Sequence, residues 1–177
     1  PKDYPEIDFR KMQIHLFESA DRLLSAMSPE NSEKALKYVK DFGVSIWLNT
    51  MVTDFDGEVI STADGKVIKS ETVIWTAGVK GNPIEGFSPN TMVGGSRILV
   101  DEFCKVINHT NIFAIGDVAA MVSDEFPKGH PMVAPVALQQ GELVAKNILA
   151  EMKNKTVKSF KYHDKGSMAT VGRNKAV

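Results

Sequence analysis

Residues 112–119 read Ile-Phe-Ala-Ile-Gly-Asp-Val-Ala, and this run limits the folds open to the chain more than any other. Four apolar residues are enough to cross a sheet interior, and they lead straight into Gly116 and an acid, Asp117. Glycine has no Cβ, so backbone or a ligand can come close to it. In open α/β sheets, ligands sit outside the carboxyl ends of the strands. The run therefore predicts a buried strand over 112–115 that opens at Gly116, with the Asp117 carboxylate facing a hydroxyl-rich ligand. A plain strand closed by a Gly-Asp turn fits the same eight residues.

The 177 residues allow one domain or two small lobes. A composition 43% hydrophobic and 24% charged supplies a normal core. A net charge of -1 gives no electrostatic reason to expect nucleic acid or an acidic surface as partner, although lysines gather mildly between 153 and 165. Cys104 stands alone, and His15, His109, His130 and His163 lack metal-ligand spacing. A reducing, cytoplasm-facing location is the expectation. No apolar run approaches the roughly 18 residues of a membrane span. The chain opens Pro-Lys-Asp-Tyr-Pro, without the pattern of a signal peptide and without methionine, which reads as a trimmed or excised chain.

Along the chain, 12–17 reads as a short strand ending at Glu18. Ser28-Pro29 marks a helix start, serine as cap and proline in the first turn. That helix runs to Phe42, with Ala35, Leu36, Val39 and Phe42 on one face, and stops at Gly43; 44–48 is the next strand. Asp56-Gly57 and Asp64-Gly65 are hairpin signals, because both central residues of such a turn take positive φ. They divide 52–55, 58–62 and 66–69 into an antiparallel meander, and 72–75 follows as a β-rich run. Residues 79–96 are loop-like and carry the expected lobe boundary. Strands at 97–100 and 112–115 and a loop at 123–131 belong to the second lobe. Leu138, Val144, Ile148 and Met152 mark an amphipathic helix over 137–152.

Strand, helix, strand, meander and return strand make the second half of a nucleotide-binding α/β lobe. Its glycine-rich phosphate turn would precede Pro1, because 1–18 holds no glycine. An acid about 20 residues after that turn binds ribose hydroxyls in this fold. Glu18 stands where that acid would, and as a carboxylate it would repel a 2′-phosphate; it is equally a surface glutamate paired with Arg22. In Trp75-Thr76-Ala77-Gly78-Val79 small residues would let a flat ring approach, or they simply turn the chain. Ala134 to Gly141 opens the last helix, with Pro135 in its first turn and free N–H groups that favour an anion or an electron-rich ring edge. Gln139 and Gln140 are site groups or solvated helix residues. Lys165-Gly166, followed by small residues, is a cation that would stabilise a reduced, anionic ring, or a solvated turn.

Taken in order, Phe17-Glu18-Ser19, the Trp75 to Val79 turn, residues 111–119, 134–141 and 164–174 resemble the type II NADH dehydrogenase family, single-subunit NADH:quinone oxidoreductases with FAD. The Gly-Asp element is common to many two-dinucleotide-fold flavoproteins; the other segments are more specific. The resemblance implies an α/β chain in which 1–80 is the C-terminal half of an NADH domain and 81–155 that of an FAD domain. Residues 156–177 would open a domain facing quinone and membrane. It implies that Glu18 binds the NADH ribose, that Ala77 and Gly78 line the nicotinamide, and that Gly116 and Asp117 hold the FAD ribityl and pyrophosphate. Ala137, Leu138 and Gln139 would lie against the isoalloxazine and quinone, with Lys165 near, and Gln139 and Lys165 are the catalytic candidates. NADH and quinone are the implied partners, with a homodimer open, and attachment to the cytoplasmic face of a membrane through parts beyond Val177. Pro135 departs from the family's common Ala-Gln, and both glycine-rich fingerprints are absent. The chain thus reads as an internal part of a larger enzyme, expected to lack bound FAD by itself. A disulfide-type pyridine-nucleotide oxidoreductase and a cofactor-free binding module of the same fold are the alternatives.

Overall fold

The computed structural model describes every residue except 1–4, 7, 9, 10, 83 and 84. The last two fall within the expected loop 79–96. The chain divides into two compact units, 1–75 with 166–177, and 76–165. The stretch read as the start of a third domain gives 156–165 to the second unit and 166–177 to the first.

In the first unit, β1 (His15–Phe17), α1 (Pro29–Asp41) and β2 (Ser45–Trp47) form a strand–helix–strand unit with parallel strands. Parallel neighbours need such a crossover. The Phe17 and Trp47 rings stack at 5.7 Å, and Trp47 Nε1 donates to His15 Nδ1 at 3.1 Å. Ser28 caps α1 by accepting the Asn31 N–H at 3.3 Å, proline occupies the first turn, and the chain leaves the helix through Gly43 at φ 79°. Ser32 and Ala35 face inward.

The meander forms as β3 (Val52–Phe55), β4 (Val59–Thr62) and β5 (Val67–Lys69), all antiparallel. Its turns differ in detail from the expectation. Gly57 and Gly65 take positive φ, but the preceding aspartates do not. Asp56 instead accepts the Glu58 and Val59 N–H groups on its carboxylate, so side-chain acceptors replace the second left-handed residue.

Residues 72–75 do not form the expected strand. They pair with no neighbour, and Ile74 is left 82% exposed. β-forming side chains make a strand only where another strand takes up the backbone groups. At the other end of the unit, 166–177 folds back on the last turn of α1. Lys175 Nζ lies 4.6 Å from the Tyr38 ring and 3.5 Å from the Asp41 carboxylate.

In the second unit, β6 (Met92–Val93), β7 (Arg97–Val100) and β8 (Ala119–Met121) form a sheet in that order, antiparallel and then parallel. The expected strand over 112–115 is absent. Only Phe113 bridges, to Lys105, and the residues that pair with β7 are those after the Gly-Asp pair. Gly116–Val118 is a 3-10 turn leading into β8, so Asp117 stands at the amino end of a strand and not at a carboxyl end. The physical reason differs from that for 72–75: β7 already has neighbours on both sides, and 112–114 bond instead to the short stretch 104–106, where Ile112 accepts the Val106 N–H and Ala114 donates to the Cys104 carbonyl.

The core gathers Ile98, Val100, Cys104, Val106, Ala114, Ala119, Met121, Val136, Val144 and Phe160. α2 (Ala134–Glu151) starts earlier than expected and turns a different face inward: Val136, Gln140, Val144 and Asn147. Leu138 and Met152, read as part of the apolar stripe, are exposed. Two of the four inward positions carry amides, and each amide has a backbone partner. Asn147 donates to the Lys158 carbonyl at 2.8 Å and accepts the Lys158 N–H at 3.0 Å. An amide can occupy a core when its bonds are made there.

Candidate functional site

The sequence-selected residues of the second unit gather around the start of α2. Gly116 has φ 67°, and a Cβ on it would meet the Ala137 Cβ at 3.2 Å. Its N–H donates to Gln140 Oε1 at 2.7 Å. Gly141, one residue further, has the Ile115 side chain at van der Waals distance from where its Cβ would be. The 3-10 turn is thereby pressed onto the first turns of α2, which begin at Val133 without a side-chain cap.

Asp117 is exposed, and its carboxylate makes no hydrogen bond with a described residue. Behind it, Arg97 is buried at 6% exposure. Arg97 donates from Nε and Nη2 to the Ala119 carbonyl at 3.0 and 2.5 Å, from Nη2 to that of His130 at 2.9 Å, and from Nη1 to that of Lys128 at 3.0 Å. Burial lowers the guanidinium pKa from its usual value, and the Asp117 charge opposes that shift. Sequence reading passed over Arg97 as a strand residue. The available signal was a cation opening the run Arg-Ile-Leu-Val, where solvation cannot be its reward.

Leu138 points outward, mostly exposed. Gln139 donates to the His163 carbonyl and accepts the His163 N–H, both at 3.0 Å. Its amide fastens the returning segment, and Lys165, two residues on, adds to the lowering of the Glu142 pKa that the hydrogen bond and charge of Lys146 mainly cause. The two candidates named catalytic thus share one end of α2. Ala77 and Gly78 sit in an exposed turn with Gly78 at φ 100°, open space where a Cβ would be, and the Gly78 N–H on the Thr76 carbonyl. The turn is anchored at Gly81. A Cβ there would lie 2.3 Å from the Ser96 carbonyl oxygen and 3.4 Å from the Val118 Cα, so only glycine brings this loop beside the 3-10 turn.

In the first unit, Glu18 follows β1 and receives the Ala20 N–H on Oε1 at 2.8 Å and the Ser19 hydroxyl at 3.4 Å. Arg22 does not pair with it. The guanidinium is turned to the carbonyls of Ser25 and Met27. A hollow of about 220 Å³ lies at the start of α1, between Asp21, Leu36 and Leu48.

A larger cavity, about 1140 Å³, lies in the second unit between Leu99, Met121, Phe126, His130, Phe160 and Tyr162. None of the residues selected from the sequence lines it. His130 is 6% exposed, with ring centroids of Phe126, Phe160 and Tyr162 at 4.1, 5.2 and 5.7 Å, and its buried Nδ1 has no hydrogen-bond partner among the described residues. Burial lowers its pKa below the usual 6.5, with Arg97 acting the same way and Glu125 opposing. The folded state therefore favours neutral imidazole. That contribution to stability is full above the ordinary value and is lost as pH falls through it toward the lower folded value. Urea unfolding of His130→Phe against wild type at about pH 7.5 and about pH 5 should show wild type losing stability relative to the variant as pH falls. A difference independent of pH would mean that the ring titrates alike in both states.

The sequence profile of the pyridine nucleotide-disulphide oxidoreductase family matches residues 7–141. The chain belongs to that family. Among curated relatives in it, a type II NADH:quinone oxidoreductase of Haemophilus influenzae is 34% identical over 95% of this chain and 38% of its own length. One from Staphylococcus aureus is 29% identical over 97% of this chain and 43% of its own. The chain thus spans less than half the length of these relatives. The solved structure of NDH2 from Plasmodium falciparum in complex with NADH matches with a TM-score of 0.80, covering 95% of this chain and 50% of that one at 17% identity. A ferredoxin reductase from Rhodopseudomonas palustris matches with 0.64, covering 88% and 38% at 18% identity. At these identities the structures show a shared α/β fold. The resemblance read from the sequence and the α/β class both hold.

Proposed function

We propose that the chain is the part of an FAD-dependent NADH:quinone oxidoreductase that holds the flavin's hydroxyl-bearing chain and the NADH ribose. The observation that carries the reading is the turn at Gly116–Val118. An exposed carboxylate without a hydrogen bond of its own stands on a glycine turn pressed against the uncapped start of an 18-residue helix. At the helix start Pro135 has no N–H and the Val136 and Ala137 N–H groups donate to the Val133 carbonyl, so the Asp117 carboxylate, which suits a polyhydroxylated ligand, carries the reading. When bound, an isoalloxazine supplies the hydride acceptance and two-electron delivery that no side chain here provides.

The residues of the chain would bind and orient. Asp117 would accept flavin hydroxyls, and the Gly116 turn would leave room for the backbone to approach. Ala137 and Leu138 would offer apolar contact to the ring and the quinone, and the Ala77-Gly78 turn would leave space for the nicotinamide. Gln139, with both amide atoms on His163, would act by holding the segment that brings the Lys165 charge to the site. Glu18, oriented by the Ala20 N–H, keeps Oε2 for ribose and would repel a 2′-phosphate, favouring NADH. Cys104 offers no thiolate for disulfide exchange, because burial pushes its thiol up to about 12. Among the described residues no helix is long and apolar enough to cross a membrane. Attachment to the cytoplasmic face would rest on parts of the parent beyond this chain, and a homodimer stays open.

The test is Asp117→Ala in the full-length enzyme. Loss of the acceptor leaves flavin hydroxyls unpaired at about 1–3 kcal/mol, a roughly ten- to hundredfold weaker FAD affinity. The variant should fold, lose flavin on dilution and regain activity with added FAD. The same change in this chain alone should barely move its melting temperature, since Asp117 is exposed and unbonded. Full flavin retention would rule the assignment out.

A further inference from the structure

We propose that Gln140 is a positioning residue: by accepting the Gly116 N–H, its buried amide sets the direction in which Asp117 presents its carboxylate. The inference rests on the reading of Asp117 given above. Gln140 is 1% exposed, between Val136 and Val144 on the inward face of α2. An amide in such a place costs free energy unless it is bonded, and here it reaches 24 positions back along the chain to a single backbone N–H at 2.7 Å. At the other end of the turn, the Ala119 carbonyl is held by Arg97. Residues 116–119 are therefore fastened at both ends, first N–H and last carbonyl, by two buried side chains from different elements. Asp117 lies between the two fastenings, its carboxylate without a hydrogen bond among the described residues. Its direction is set by the backbone, and the backbone is set by Gln140 and Arg97. Gln139, the neighbouring amide, bonds elsewhere and cannot substitute.

A double-mutant cycle in the full-length holoenzyme separates positioning from mere support. Gln140→Met keeps length and apolar bulk but accepts no comparable bond, and should weaken flavin affinity about tenfold. In an Asp117→Ala background it should add nothing, because no carboxylate remains to be aimed. Gln140→Glu, which still accepts the Gly116 N–H, should restore retention. In this chain without ligand, hydrogen exchange at the Gly116 amide should quicken at least tenfold in Gln140→Met, while amides at 144–147 of α2 stay as they were. Additive losses in the cycle, unchanged Gly116 exchange, or flavin loss in a folded Gln140→Glu would each overturn the proposal. If Gln140→Met fails to fold, the Gln140→Glu arm still decides. If Asp117→Ala keeps its flavin, the function assigned to Asp117 fails, and the exchange measurement still reports whether Gln140 holds the turn.

Discussion

Replacing Arg97 by alanine should unfold the second unit at urea concentrations that leave the wild type folded. The guanidinium makes four hydrogen bonds to three carbonyls inside that unit, those of Ala119, Lys128 and His130. No nearby donor can replace it without rearrangement, and each stranded buried acceptor costs about 1–3 kcal/mol. With relaxation and some water entry the sum is about 4 kcal/mol, against a stability of roughly 5–15 kcal/mol for a whole domain. Arg97→Lys should recover only a minor part, because one ammonium cannot span a fork of three carbonyls. Denaturant melts of the three proteins decide the matter, and an alanine variant within about 1 kcal/mol of wild type would refute the role given to Arg97.

Gly116→Val should be the second large effect, and it should strike stability and flavin together. A branched residue at φ 67° costs roughly 1–2 kcal/mol in backbone terms. Its Cβ would stand 3.2 Å from the Ala137 Cβ, and its methyl groups would push on α2, adding about 1–3 kcal/mol. Gly78→Ala is the control, since it also sits at positive φ but has open space around it, so only the backbone part applies. We expect Gly116→Val to lower stability by roughly 2–5 kcal/mol and Gly78→Ala by about 1. Equal losses at the two positions would mean that contact with α2 contributes nothing.

How far the sequence could be read depends on where each element's partners lie. The inward face of α1 was legible only in part, since Phe42, read as inward, is exposed and Ser32 is buried. The ends of α1 were legible because their signals are local: Ser28 as cap, proline in the first turn, Gly43 after the last turn. The meander was legible from Asp-Gly pairs for the same reason. The runs 72–75 and 112–115 were not, since β-forming side chains do not say which stretch, if any, takes their hydrogen bonds: 72–75 pairs with no described strand, and 112–114 bonds to the short stretch 104–106. The inward face of α2 was misread because hydrophobic spacing counts Gln140 and Asn147 as solvent-facing. Their burial is determined by backbone groups at Gly116 and Lys158, distant in sequence. The Gly-Asp turn was found as a motif, yet its mooring by Arg97 was not, because that depends on three carbonyls from two separate stretches of chain, Ala119 and the loop of Lys128 and His130.

Cys104 turns the two-unit architecture into something that can be followed in time. The only thiol of the chain lies in the second unit, fully buried and at φ 63° in the turn that Asp101 closes. With its thiol pushed up to about 12, the closed form presents almost no thiolate to a reagent. Alkylation must wait for that unit to open, so its rate is a clock set by one half of the molecule and blind to the other. Labelling kinetics can therefore rank substitutions at Arg97, Gly116 and Gln140 by how often the second unit opens, while tryptophan emission from Trp47 and Trp75 follows the first.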